Sequence, residues 1–157
     1  MDLYPWLKFG HVLGAVLYLG GGVMLSLAAA RARQSDDPNA AAAELSRMVA
    51  YAGPRAILPA FLAVVGFGVW MVLISAAWEV TQLWVLLGLG LFVLAFLVGM
   101  LYQGRISRDL RRAVETGSPA PADTRAMLGR WILGQSVVVL ILVVAVWDMI
   151  FKPGLGA

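Results

Sequence analysis

Four apolar runs, Trp6 to Ala29, Ile57 to Ala77, Leu83 to Tyr102 and Trp131 to Phe151, constrain this chain more than any other feature. Each holds about 20 residues or more, enough for a helix rising 1.5 Å per residue to cross a hydrocarbon core of about 30 Å. The expectation is an all-α membrane protein, a four-transmembrane-helix bundle forming one transmembrane domain over residues 1–157. The spans fall at about 6–29, 57–77, 83–102 and 131–151. Composition agrees: 61% of residues are hydrophobic, 13% are charged, and mean hydropathy is +0.84, outside the range of soluble domains. With so much of the length in spans, little remains for an extramembrane catalytic domain. A cleaved signal peptide would carry its positive charge ahead of a shorter apolar run, whereas here Arg31 and Arg33 follow it. The first run is therefore expected to be a permanent helix.

Arginines sort by loop. Arg31, Arg33, Arg47 and Arg55 lie between the first and second spans, and Arg105, Arg108, Arg111, Arg112, Arg125 and Arg130 between the third and fourth. The opposite side carries only Lys8 and Lys152. The positive-inside rule then places both arginine-rich loops in the cytoplasm and both termini outside, as expected for a multi-pass protein of a bacterial cytoplasmic (inner) membrane. The net charge of +3 is thus read as topology. No aromatic-interleaved basic surface accompanies it, so nucleic acid is not an expected partner. Tyr4, Trp6, Trp78, Trp84 and Trp147 should mark one membrane boundary, and Tyr51, Tyr102 and Trp131 the other.

Both arginine-rich loops have helical patterning. Asp37 can cap a short helix beginning at Pro38 and ending at Gly53 and Pro54, with Leu45, Met48 and Val49 on one side. In the second loop Ile106, Leu110 and Val114 repeat against arginines, which reads as the third span continuing into the interface as an amphipathic helix. Gly117, Pro119 and Pro121 interrupt that pattern. Arg105, Arg108, Arg111 and Arg112 are expected to hold lipid headgroups or a protein partner.

Chemistry in the spans is sparse. Without cysteine, the chain has no disulfides, thiolate metal sites or iron–sulfur ligands to offer. His11 is the single histidine, on a helix face shared with Gly14, Ala15, Tyr18, Gly22, Leu25 and Ala29; Phe9, Leu13, Val16, Val23 and Leu27 form the other. Small residues permit close helix approach in lipid, so the His11 face is expected to pack inward. Asp148 falls at a depth comparable with His11, and an isolated carboxylate in hydrocarbon is costly. A polar cluster of Lys8, His11, Asp148 and Lys152 is therefore expected. Gln135 and Ser136 should hydrogen-bond between helices.

The opening "LKFGHVLGAVLYLGG", the second span introduced by "RAILP", and the ending "MLGRWILGQ" with "WDMIFKP" resemble the predicted four-helix integral membrane proteins of the DUF2269 family over nearly the whole chain. That resemblance implies the fold and topology and carries no activity. More distantly, His11, Tyr18 and Gly21 are similar to a pattern in HemJ-type protoporphyrinogen oxidases, and CopD-type copper-resistance proteins also place a histidine in a first helix. This second resemblance implies haem b as a cofactor, His11 as tentative iron ligand and Tyr18 beside the porphyrin. Tyrosine replaces that pattern's tryptophan, and Leu27 stands where it has arginine. One histidine per chain leaves methionine, water or a second subunit for the other axial position.

Three functional classes follow. A small non-enzymatic polytopic membrane protein, such as an accessory subunit of a homo-oligomer or larger membrane complex, ranks first. A haem- or porphyrin-binding redox protein ranks second, and a proton-handling or transport subunit acting as an oligomer ranks third.

Overall fold

A computed structural model describes residues 2–117 and 119–154, apart from the side chain of Val114, which removes the last member of the Ile106, Leu110 repeat from description. The described residues are helical almost throughout. They form α1 (Tyr4–Gln34), α2 (Pro38–Ala52), α3 (Leu58–Ile74), α4 (Leu83–Leu97), α5 (Gly104–Thr116) and α6 (Pro121–Phe151). Four continuous helical stretches are long and apolar enough to cross a membrane: Tyr4–Gln34, Pro38–Ile74, Leu83–Ala113 and Pro121–Phe151. Each extends beyond its apolar core into the arginine-rich end of the molecule.

Asp37 caps α2 as its position predicts, its side chain accepting from Asn39 N at 3.1 Å and Ala40 N at 3.0 Å, with Pro38 opening the helix. The other end departs from expectation. Gly53 and Pro54 do not stop the helix, because Gly53 keeps right-handed helical angles (φ −51°, ψ −63°). Neither Pro54 nor Pro59 can donate to the carbonyl one turn back. Around them the chain takes an extra residue per turn, with Leu58 N–H donating to Gly53 O in a π-turn over Gly53–Ile57. A second π-turn, Val98–Gln103, joins α4 to α5, closed by Gly104 N–H on Gly99 O.

Helix α1 is central, packing against α3 on one side and α6 on another, while α4 packs against α6. Its two faces sort as its residue sizes require: Gly14, Gly22 and Ala29 are buried, and Phe9, Leu13, Val16, Val23 and Leu27 are exposed toward lipid. A Cβ at Gly14 would lie 3.1 Å from Ala60 O, Ala63 Cβ and Val64 N, so glycine lets α1 seat on the α3 backbone. Gly10 likewise packs within the chain, under the Phe67 ring.

The densest core lies at the arginine-rich end. Ala29, Ala32, Ala42, Leu45, Leu110, Leu128 and Trp131 are buried together there, with Val49 against them. Met48 points outward instead, 45% exposed, since Ala42, Leu45 and Val49 make the inward stripe of α2. Trp131 is a core residue donating to Ser107 Oγ at 3.0 Å, not a boundary anchor. Side chains lace the loops over this core: Asn39 Nδ2 donates to Pro119 O at 3.0 Å, and Arg125 donates to Ser35 O at 3.2 Å.

Helices α3 and α4, joined by residues 75–82, do not pack along their lengths. The Phe61 ring bridges them, 5.0 Å from Phe92 and 5.1 Å from Phe96.

Candidate functional site

The four residues expected to cluster at the terminal end are not joined by an ion pair or hydrogen bond among the described residues. His11 turns toward α3, where its Nδ1 lies 2.8 Å from Val64 O. Gly68 makes room for the ring: a Cβ there would sit 3.0 Å from both His11 Cε1 and Nδ1. The histidine thus completes the α1–α3 contact through a backbone carbonyl and needs no carboxylate partner.

Asp148 faces another way. Along α6 the buried positions Leu128, Trp131, Gly134, Val138, Leu142, Ala145 and Asp148 follow one another three or four residues apart, a single stripe. Asp148 continues this stripe toward α4, where a Cβ on Gly88 would lie 3.1 Å from its Oδ2. It is 1% exposed, and neither carboxylate oxygen has a hydrogen-bond partner. Lys152, one turn beyond, places Nζ 3.9 Å above the Trp78 ring and 5.4 Å from that of Trp84. Trp78 in turn donates to Tyr4 Oη at 3.3 Å and stacks edge-on with Trp84. An aromatic cage therefore satisfies the ammonium that the sequence offered to Asp148, while Lys8 stays exposed.

The other half of the bundle holds a cavity of about 330 Å³. Its polar wall is a pair of glutamines: Gln103 Nε2, at the end of the second π-turn, donates to Gln135 Oε1 at 2.9 Å. Gln103 is 7% exposed, and its Oε1 has no donor. Gly134 permits this approach, since a Cβ there would lie 3.2 Å from Gln103 Oε1. Gln135 thus links helices as its position suggests, but Ser136 bonds back to Ile132 O on its own helix. The remaining walls are apolar, rising from Ile57, Met100 and Val139 to Tyr18, Phe61 and Leu142. Both π-turns border the space, and the α3 and α4 backbones stand apart beside it, spanned by the Phe61, Phe92 and Phe96 rings.

A second crevice of about 150 Å³ lies between α2 and α5, lined in part by Ser46, Arg108 and Arg111. It shares Val49, Ser107 and Trp131 with the larger cavity. Arg105 and Arg112 flank it on α5, exposed. Among the described residues no three histidine, cysteine or carboxylate side chains gather to hold a metal ion.

Four membrane-length helices with apolar outer sides define a multi-pass integral membrane protein. The chain belongs to the family described as predicted integral membrane protein (DUF2269), whose model matches residues 5–153. No curated protein and no solved structure matches it, so the HemJ and CopD similarities rest on the short motif alone.

The cavity was only partly visible in sequence. Gln103 and Gln135 are the polar positions flanking the loop between the third and fourth spans, and antiparallel spans place such positions at similar depth. That symmetry was the available signal for their pairing.

Proposed function

We propose that this protein is a non-enzymatic, multi-pass component of a bacterial cytoplasmic membrane, with both termini outside, that holds the hydrocarbon chain of a membrane amphiphile between its helices. The glutamine-walled cavity carries this reading. The volume of about 330 Å³ is on the scale of a single alkyl chain of roughly ten carbons. Gln103 Oε1 lacks a donor and Gln135 Nε2 makes no hydrogen bond among the described residues, so the base of the chamber is suited to the polar end of an acyl chain. Arginine asymmetry supports the topology. A protein of this kind would serve as an accessory subunit that presents or retains a lipid for a larger complex or a homo-oligomer.

The test is photolabelling in vesicles with a monoacylglycerol carrying a diazirine on its chain, followed by mapping of the adducts. The expected adducts fall on Phe61, Phe96 and Leu142, and Gly99→Phe suppresses them. Gly99 lines the chamber and a Cβ there meets nothing within 4 Å, so the position accepts a side chain. Adducts confined to lipid-facing positions such as Leu133 and Leu140 would refute the reading.

One observation favours the haem reading as a second. An imidazole with one nitrogen engaged by a backbone carbonyl, as His11 is by Val64, has the orientation typical of a metal-bound histidine. A Soret band in protein purified from haem-supplied cells, lost in His11→Ala, would support it, and a featureless spectrum would remove it.

A further inference from the structure

Hydrocarbon inside the chamber is no better off than hydrocarbon in the surrounding bilayer, because lipid supplies no hydrophobic drive to leave it. An occupant can therefore be selected only by what its polar end meets. The crevice between α2 and α5 meets it with guanidinium groups. Arg108 and Arg111 line this crevice one helical turn apart, with the Ser46 and Ser107 hydroxyls beside them. Trp131 and Ser107 belong to both spaces, which puts the basic crevice directly at the amide end of the chamber. Arg108 forms no ion pair among the described residues, and Arg111 makes a single contact, Nε to Glu115 Oε1 at 3.8 Å. Polarity along this path runs from guanidinium through hydroxyl and amide to aromatic and aliphatic groups.

Resting on the chain-binding reading above, we propose that the occupant is an acidic glycerophospholipid, with its phosphate in the crevice at Arg108 and Arg111 and one acyl chain in the chamber. Paired guanidiniums match phosphate geometry, and the crevice lies at the arginine-rich end, just past the apolar runs that stop at Tyr102 and Trp131. The ester carbonyl at the head of the chain falls at Gln135, whose Nε2 can donate to it. The second chain lies outside the chamber, against the lipid-facing side of the Phe61, Phe92 and Phe96 rings that span α3 and α4.

The experiment uses the full chain in phosphatidylcholine vesicles doped with phosphatidylglycerol or phosphatidylcholine bearing the same diazirine-tagged acyl chain. Chamber adducts at Phe61, Phe96 and Leu142 are compared with those at lipid-facing Leu140. The expected result is a chamber preference for the phosphatidylglycerol probe on the order of five-fold for each arginine, falling with added salt and lost in Arg108→Gln/Arg111→Gln. These exposed α5 positions tolerate the change, and an unaltered melting temperature confirms it. Equal chamber labelling by both probes, or a preference that survives the double substitution, would overturn the acidic-lipid assignment while leaving chain binding intact. Absence of chamber adducts from every probe would overturn chain binding itself, and this inference with it.

Discussion

Substitution of Gly14 and Gly20 by alanine isolates the packing that seats α1 on α3. Both glycines lie within the same helix, so the intrinsic preference of a helix for alanine, about 1 kcal/mol in water and smaller in lipid, favours both variants alike and cancels in their difference. The surroundings do not cancel. A Cβ at Gly20 meets nothing within 4 Å, whereas one at Gly14 lies 3.1 Å from Ala60 O, Ala63 Cβ and Val64 N. Two of those three atoms are α3 backbone and cannot swing aside, so the helices must separate by a few tenths of an ångström. That separation also strains the His11–Val64 hydrogen bond one turn away, which is 2.8 Å long. Overpacking of this kind costs about 1–3 kcal/mol, so Gly14→Ala should be less stable than Gly20→Ala by about that amount. Thermal unfolding in detergent, followed by tryptophan fluorescence, measures the difference. Equal melting temperatures for the two variants would refute the claim that backbone contact at Gly14 holds α1 to α3.

Gln135→Leu leaves the nearly buried Gln103 amide without its partner and should cost about 1–2 kcal/mol, whereas Gln103→Leu/Gln135→Leu should recover most of that loss, as read from melting temperatures in a double-mutant cycle. Asp148→Asn removes a buried carboxylate whose oxygens have no partner, so it should leave stability unchanged or raise it by about 1–3 kcal/mol; a lower melting temperature would mean that the carboxylate has a partner in the membrane. The cysteine-free chain suits accessibility mapping: Asp36→Cys and Thr81→Cys should react with impermeant maleimide from opposite faces of the membrane, Thr81→Cys from outside. Trp78→Ala dismantles the ring lying 3.9 Å from Lys152 Nζ and should destabilise the terminal end by about 1 kcal/mol, whereas Trp78→Phe should retain part of that contact.

The inward face of α1 was legible because residue size alone orients a helix in lipid: His11, Gly14, Tyr18 and Gly22 against Phe9, Val16 and Val23 leave one way to pack. The Asp37 cap was equally plain, since it depends on a side chain and the two amides just after it. Partner choice for Asp148 was not, although the stripe from Leu128 through Val138 and Ala145 points to it. Depth made His11 and Asp148 look like neighbours, but rotation about α6 decides what Asp148 meets, and that rotation is set by packing against α4. Gly53 and Pro54 misled for a related reason. Their local preference is to end a helix, and the tertiary contacts of α2 with the core and α3 with α1 hold both sides in line, so the conflict is absorbed as a π-turn. The cavity beyond its glutamine pair has no sequence signature, because it is the space left where the α3 and α4 backbones stand apart.

The unequal backbone packing of the spans bears on the order in which they can assemble. As the chain enters the membrane, α3 finds α1 at once, the two being consecutive spans that fit backbone to backbone at Gly14. The third span has no such reception. Its backbone packs chiefly on α6, at Gly88 beside Met149 and at Tyr102 beside Gly134, and α6 is still to be synthesised; toward the earlier spans it has the Phe92 and Phe96 rings on Phe61 and the contact of α5 with α2. Until the fourth span arrives, the third lacks most of its native backbone packing. The chamber, walled in part by Gln135, Val139 and Leu142 of α6, is complete only once the fourth span is in place.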